Sequence, residues 1–205
     1  MNIPREDRTL LENGNVEQTI KRELPRYEGF ERYDQIECEY IVEDLKANCK
    51  IWTTKHSREG FELLDTKEEW EPEEETLQED LDSFQKYLND TYGVGKYEAW
   101  TIGAYIHSAV SFAFGKSEDT RCRWDSGTIG FIGINKDNYS CSINKLASLL
   151  SDAWNGWITR LEVIDNLTGE EATDSCWSHE DKEYVDKWKE YVKNRFGVTE
   201  FKMEQ

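Results

Sequence analysis

The sequence predicts an α+β fold, with a mainly antiparallel sheet and flanking helices. Apolar and polar residues alternate over 98–114, which is the strongest strand pattern in the chain. Residues 76–92 and 179–196 instead carry apolar side chains at helical spacing. Strands joined by short turns and covered by helices are typical of α+β domains.

The chain has 205 residues, which is enough for one domain with a sizeable core. Residues 1–30 are polar and carry two of the three prolines, so we expect a polar N-terminal segment there. A single α+β domain is expected over 31–205. Asn15 suits a helix cap and Pro25 a helix stop, which predicts a short helix that ends at Leu24.

Residues 35–64 are predicted to form strands. Apolar residues alternate with polar neighbours over 36–42, and residues 49–54 are rich in β-branched and aromatic side chains. Residues 58–60 have the composition of a turn, so Phe61 is expected on the strand that follows.

The next element is an acidic helix. Residues 62–82 carry eleven acids and one base. Thr76 and Glu79 have the spacing of a capping box, which predicts a helix over 76–92 with its carboxylates facing water. The apolar stripe of this helix comprises Leu77, Leu81, Phe84 and Leu88.

Residues 98–178 are the predicted core. The alternation over 98–114 predicts a long bent strand or a hairpin around His107. The other elements of the core are a strand over 129–134, a buried helix over 143–154, a strand over 158–166 and a last strand that ends at Trp177. Residues 101–150 hold only four acids against five bases, because strands packed on both faces cannot solvate carboxylates.

A C-terminal helix is predicted over 179–196. Ser178 and Asp181 suit its N-terminal cap, and Gly197 suits the residue that follows its last turn. Its lysines alternate with acids, which indicates a solvated face and not a basic patch for nucleic acid. The apolar stripe comprises Tyr184, Val185, Trp188, Tyr191, Val192 and Phe196.

The net charge is −18, from 43 acids and 25 bases. Such a field repels nucleic acids and anionic membranes, and it speeds encounter with basic partners. We therefore expect a basic protein partner, without direct nucleic-acid binding or membrane association. The alternative is that the charge only keeps the protein soluble.

The five cysteines have no Cys-x-x-Cys spacing, and the first ten residues carry no apolar run. No run of 18 apolar residues is present either. These features predict a reduced, cytoplasmic location in the host cell. We expect no cofactor, since Walker and dinucleotide-binding glycine loops are missing from the sequence.

Catalytic and metal sites have little support in the sequence. His107, Asp125 and Ser126 are residue types of a nucleophilic triad, but the Gly-x-Ser-x-Gly elbow is missing. The other two histidines are His56 and His179, and no His-x-x-x-His or Glu-x-x-His pair occurs. We therefore expect a non-enzymatic protein with no catalytic residues and no bound metal.

The first candidate binding site is the acidic run that precedes and enters the helix over 76–92. A row of carboxylates on a rigid scaffold resembles a row of phosphates, so it can fill the phosphate sites of a basic protein. A helix face that only meets water is the alternative. The candidate residues are Glu68, Glu69, Glu71, Glu73, Glu74, Glu75, Glu79, Asp80 and Asp82.

The second candidate site is a polar corner around Trp124-Asp125-Ser126. An aromatic face, a carboxylate and a guanidinium together suit recognition of a polar ligand. The alternative is a turn in which Asp125 bonds the backbone and Trp124 covers the sheet end. The candidate residues are His107, Arg123, Trp124, Asp125, Ser126, Asp174 and Trp177.

Three short sequence motifs occur in this order: Tyr105-Ile106-His107-Ser108, then Trp124-Asp125-Ser126-Gly127, then Asp174-Ser175-Cys176-Trp177. In these motifs, and over residues 98–178, the chain resembles a family of small acidic accessory proteins that phages and plasmids encode. Ala109, Thr128 and Ser178 stand where that family has Gly, Gln and Gly. The resemblance gives no residue a role. It implies a gene of a mobile element, of the kind often directed against host defence.

Two hypotheses about function follow. The first is a non-enzymatic inhibitor that binds a basic, nucleic-acid-handling host protein, such as a restriction or CRISPR effector. The second is a small-ligand-binding module or minor enzyme centred on Trp124-Asp125-Ser126. Binding that weakens steeply with salt is expected for the first, and salt-insensitive binding at a polar pocket for the second.

Overall fold

The structure is a computed structural model, and it confirms the α+β fold class. It describes residues 6–10, 16–21, 24–54, 60–115, 126–135, 137–178 and 182–204. The chain divides into two compact units. The central unit is Gln35–Trp157, and the terminal unit combines Met1–Asp34 with Ile158–Gln205. The expectation of one domain over 31–205 stays a prediction.

The strands are β1 (Glu6–Leu10), β2 (Val16–Lys21), β3 (Tyr27–Tyr33), β4 (Cys49–Thr53), β5 (Tyr97–Ile106), β6 (Val110–Gly115), β7 (Ser126–Asn135), β8 (Ile158–Asp165), β9 (Glu171–Ser178) and β10 (Phe201–Glu204). The helices are α1 (Gln35–Asn48), α2 (Leu77–Tyr92), α3 (Ile143–Trp154) and α4 (Lys182–Phe196), with a short 3₁₀ helix at Phe61–Leu64.

The central unit is built on an antiparallel sheet with the strand order β4-β7-β5-β6. The predicted alternation over 98–114 becomes the hairpin β5–β6, in which the His107 N–H donates to the Ala109 carbonyl at 3.1 Å. One face of the sheet packs against α3 and Leu45 of α1, and the other against α2. Helices on both faces explain why the four strands of this sheet hold few carboxylates.

The two outer strands of this sheet are closed by hydrogen bonds with residues outside the sheet. At β6, Ser151 of α3 accepts a hydrogen bond from the Phe112 N–H at 2.8 Å, and Asn155 accepts from the Val110 N–H at 3.0 Å. At β4, the segment after the 3₁₀ helix closes the strand edge, because the Thr66 N–H donates to the Ile51 carbonyl at 2.9 Å. The start of the acidic run is thereby fixed to the edge of the core sheet.

The terminal unit holds the second sheet, with the strand order β10-β3-β8-β9. Its pairs are antiparallel except for β10 and β3, which run parallel. Helix α4 contributes Val192 to a small core with Val163 and Val198. Strands β1 and β2 form a separate antiparallel pair.

Several sequence predictions are confirmed. Helix α2 begins after the N-cap Thr76 and buries Leu81, Phe84 and Leu88. The predicted elements over 129–134, 143–154, 158–166 and up to Trp177 correspond to β7, α3, β8 and β9. Helix α4 ends before Gly197, whose φ of 74° suits a glycine at that position.

The predictions for the first part of the chain are wrong in three places. Residues 16–21 form β2 and not a helix, because they pair with β1. Residues 35–48 form α1 and not a strand: Cys38 and Leu45 face the interior at helical spacing, whereas Ile36 is 81% exposed. Phe61 lies in a 3₁₀ helix and not in a strand. In addition, β3 crosses the boundary expected at residue 30.

The turn between β8 and β9 depends on the Asp165 carboxylate. Its Oδ1 accepts from the Leu167 N–H at 2.9 Å, and its Oδ2 lies 3.3 Å from Nη2 of Arg26. The Leu167 N–H and, after it, the Arg26 guanidinium hold the pKa of Asp165 below its ordinary value of 3.8.

Asp165→Asn is therefore expected to lower Tm at neutral pH. A carboxylate with a depressed pKa stabilises the fold above its unfolded pKa, and this stabilisation is lost as the pH falls through the folded pKa. The difference in Tm between parent and variant should be full above pH 3.8 and shrink below it. Thermal melts over the acid range measure it, and the control is Asp186→Asn, an exposed residue of α4. A difference that stays constant with pH contradicts the assignment.

Candidate functional site

The first candidate site is the acidic segment, defined here as residues 68–82. Seven of its nine predicted binding carboxylates are exposed to solvent: Glu69, Glu71, Glu73, Glu74, Glu75, Glu79 and Asp82. They lie partly on the chain that precedes α2 and partly on the first turns of α2. Negative charge at a helix N-terminus is stabilised by the helix dipole, so the first turns of α2 are a favourable place for these carboxylates.

Glu68 differs from the prediction, because its side chain faces the interior and is only 3% exposed. Its Oε2 accepts hydrogen bonds from the Tyr92 hydroxyl at 2.6 Å and from the Tyr87 hydroxyl at 3.2 Å. Its Oε1 accepts from the Thr66 hydroxyl at 2.8 Å and lies 3.7 Å from the Lys50 ammonium. Glu68 therefore cannot be a partner-facing residue in this fold.

The two tyrosines keep their protons in this arrangement. Burial, followed by the hydrogen bond to Glu68, raises the pKa of Tyr92 well above its ordinary value. Burial, followed by the charge of Glu68, also raises the pKa of Tyr87. Both hydroxyls thus remain donors to the carboxylate, and Lys50 lies over the Tyr92 ring at 4.7 Å from its centroid.

Trp70 fixes the acidic segment at a second point. Its ring packs edge-on against Trp52 and Phe131, with centroids 5.7 and 5.1 Å away, and it lies 4.8 Å from the Phe84 ring. The indole N–H donates to the Ser83 hydroxyl at 3.3 Å. The Trp70 ring is buried, whereas Glu69 and Glu71 on either side of it are exposed. The contacts of Trp70 therefore fix the backbone between these two glutamates.

The third point is the start of α2. Oδ1 of Asp80 accepts from the backbone N–H groups of Glu73 at 3.1 Å and Glu74 at 3.0 Å. The Thr76 hydroxyl accepts from the Glu79 N–H at 3.3 Å and donates to the Glu79 carboxylate at 2.7 Å. Asp80, which is half-buried, thus holds the chain in place and is less available to a partner than its exposed neighbours.

The polar corner is only partly described. Arg123, Trp124 and Asp125 lie outside the described residues. The backbone of Ser126 begins β7 and pairs with Tyr105 of β5, two residues before His107. His107 is exposed, and its ring is stacked with that of Tyr105 at a centroid distance of 6.4 Å.

The other two residues of the predicted corner, Asp174 and Trp177, belong to β9 in the terminal unit. Trp177 is buried, with its ring 5.0 Å from that of Trp188 and 5.4 Å from that of Tyr184. Asp174 forms an ion pair with Arg160 of β8. Both side chains therefore have a clear structural role.

Asp174 is part of a charged cluster that the sequence patterns did not reveal. The register of β8 and β9 places Glu162 opposite Asp174, and Glu171 lies nearby. Arg160 contacts all three carboxylates, with Nε 2.7 Å from Glu162 and Nη2 3.3 Å from Glu171. A second arginine, Arg32 of β3, pairs with Glu162. The signal in the sequence was the pair of opposite charges, Arg160 and Glu162, two residues apart in a strand that is otherwise apolar over 158–164 except for Thr159.

The same three carboxylates have the spacing of a metal-ligand set, since one oxygen of each lies within 4.8 Å of the others. The Arg160 guanidinium already lies among these carboxylates and pairs with each of them, so a cation would compete with it for the same oxygens. Burial, with a hydrogen bond to Glu171, raises the pKa of Glu162 although Arg32 and Arg160 lower it. The arrangement is that of an internal charge network, and the expectations of no metal and no cofactor stay predictions.

Comparisons of the chain with protein-family models, with curated proteins and with solved structures find no match. The resemblance to phage and plasmid accessory proteins stays a prediction. No helix among the described residues is long and apolar enough to cross a membrane.

Arg160→Met is expected to lower the free energy of unfolding by about 3 kcal/mol, because it leaves the buried Glu162 carboxylate short of a partner. Urea unfolding measures this loss. The control is Lys187→Met, which removes an exposed ion pair with Glu183 and should cost less than about 1 kcal/mol. Equal losses in the two variants would show that Arg160 is not needed to compensate Glu162.

Proposed function

We propose that this protein is a non-enzymatic inhibitor that binds a basic, nucleic-acid-handling protein through its acidic segment. The partner class we favour is a host defence effector, such as a restriction or CRISPR nuclease. In this proposal the protein is an accessory product of a phage or another mobile element, and its carboxylates take the place of nucleic-acid phosphates on the partner.

The observation that carries the proposal is the set of seven exposed carboxylates on a chain fixed at Glu68, Trp70 and Asp80. Each exposed ion pair contributes only about 0.2–1 kcal/mol, so no single carboxylate should dominate. Several together add up, and they also accelerate encounter with a positively charged surface.

A fixed array has an advantage over a flexible acidic tail. Side chains and loops that become ordered on binding reduce affinity by the entropy they lose. The contacts of Glu68, Trp70 and Asp80 order the acidic segment in the free protein. This order supports recognition of a partner with a defined arrangement of positive charges, such as the sites that normally hold phosphates.

The buried titratable groups around Glu68 and around Glu162 support binding over catalysis. Glu68 and Tyr92 bond to each other, and Glu162 pairs with Arg32 and Arg160. Groups with perturbed pKa values often mark catalytic sites, but they also occur in structural ion-pair networks. Here each of these groups forms hydrogen bonds or ion pairs within its own unit.

The test is a triple variant with Glu75→Gln, Glu79→Gln and Asp82→Asn. The amides keep the acceptors for the Thr76 hydroxyl and the Gln78 side chain, so the fold should be retained. We expect binding to a purified CRISPR nuclease or restriction endonuclease to weaken about tenfold, as follows from three exposed pairs, with a shallower dependence of Kd on salt. Biolayer interferometry over a salt series measures both.

The matched control is Asp186→Asn with Glu190→Gln and Glu200→Gln, three exposed positions in the terminal unit. It removes the same charge, so it separates a local effect from a net-charge effect. If the acidic-segment variant binds like the parent at every salt concentration, the segment is only a solvated face. The polar corner at Trp124 and Asp125 would then be the next site to test.

A further inference from the structure

We infer that Glu68 and Asp80 are positioning residues, which hold the exposed carboxylates of the acidic segment in a fixed array and do not contact the partner. The inference rests on the proposed function, in which that array is the docking surface. It divides nine carboxylates that look equivalent in the sequence into two that face the protein and seven that face solvent.

Glu68 joins three parts of the central unit through one carboxylate. Thr66 belongs to the segment that closes the edge of β4, Lys50 belongs to β4 itself, and both tyrosines belong to α2. Hydrogen bonds to an ionised acceptor are shorter and stronger than those between neutral groups. The residue that begins the acidic segment is therefore tied to the sheet and to α2 at the same time.

Asp80 acts at the other end of the exposed run. Its carboxylate reaches back from the first turn of α2 to two successive backbone N–H groups, those of Glu73 and Glu74. These two contacts tie residues 73 and 74, which precede α2, back to the first turn of the helix. Asp82 lies two residues further along α2 and accepts only from the Gln78 side chain at 2.9 Å among its described contacts.

Positioning is needed here because like charges are adjacent. Glu73, Glu74 and Glu75 follow one another and are all exposed. A charged chain that nothing holds repels itself and extends. The contacts of Asp80 oppose this extension, so their loss should disperse the exposed carboxylates without changing their number.

The first experiment compares Asp80→Ala with Asp82→Ala, which remove the same charge from the same helix. Amide hydrogen exchange is measured for Glu73 and Glu74 in the full-length protein, without any partner. We expect exchange about tenfold faster in Asp80→Ala, as the loss of a charge-assisted hydrogen bond implies, and little change in Asp82→Ala. Asp80→Asn keeps an acceptor oxygen and should restore most of the protection. Equal exchange rates in all three variants overturn the inference.

The second experiment measures binding of the same variants to the nuclease that binds the parent protein. Asp80→Ala should weaken binding about threefold more than Asp82→Ala, although Asp82 is the more exposed residue. Glu68→Gln and Glu69→Gln form a second matched pair, and the variant at the buried position should again lose more. Circular dichroism melts establish that each variant is folded.

The outcomes separate this inference from the proposed function. If the triple amide variant loses affinity but Asp80→Ala binds no worse than Asp82→Ala, the acidic segment binds the partner and the positioning role is wrong. If the triple amide variant binds like the parent, the proposed function fails. In that case the exchange rates of Glu73 and Glu74 still decide whether Asp80 orders the segment.

Discussion

The carboxylate of Glu68, inserted between two tyrosine hydroxyls, Thr66 and Lys50, is the contact on which the acidic surface depends. An ionised group with so little exposure is stable only when its hydrogen-bonding capacity is met, and four neighbours meet it here. The result is a chain that passes from the sheet edge to α2 with its other carboxylates turned outward. Together with Trp70 and Asp80, this buried acid fixes the chain that carries the exposed ones.

A few side-chain and backbone contacts also close the edges of the core sheet in the central unit. Its edge strand β6 is closed by Ser151 and Asn155 of α3, and β4 is closed by the segment that leads into Glu68. Open strand edges invite pairing with other chains, so these contacts make the two outer strands of this sheet less available for such pairing. In the terminal unit, Arg160 similarly gathers three carboxylates into one network, so these three acids are paired within the unit.

Much of the fold could be predicted where the apolar residues of a segment recur at one spacing, either that of a helix or that of a strand. The α2 stripe and the β5–β6 alternation agree with the structure because one face of each element is buried. The same rule failed for α1, since Ile36 and Tyr40 alternate with polar residues yet face solvent on a helix. Within the acidic segment, composition identified the carboxylates but not their directions. The inward turn of Glu68 depends on Tyr87 and Tyr92, which lie 19 and 24 residues further along the chain.

Competition with DNA is the decisive measurement, because a surface that imitates phosphates must occupy the sites that phosphates occupy. The protein is titrated onto a purified CRISPR or restriction nuclease that is already bound to a fluorescent DNA duplex, and both the DNA and the protein are followed. We expect the DNA to be displaced and no complex to hold both the DNA and the protein. A stable ternary complex, with DNA affinity unchanged, would contradict the claim that the carboxylates of the acidic segment stand in for phosphates.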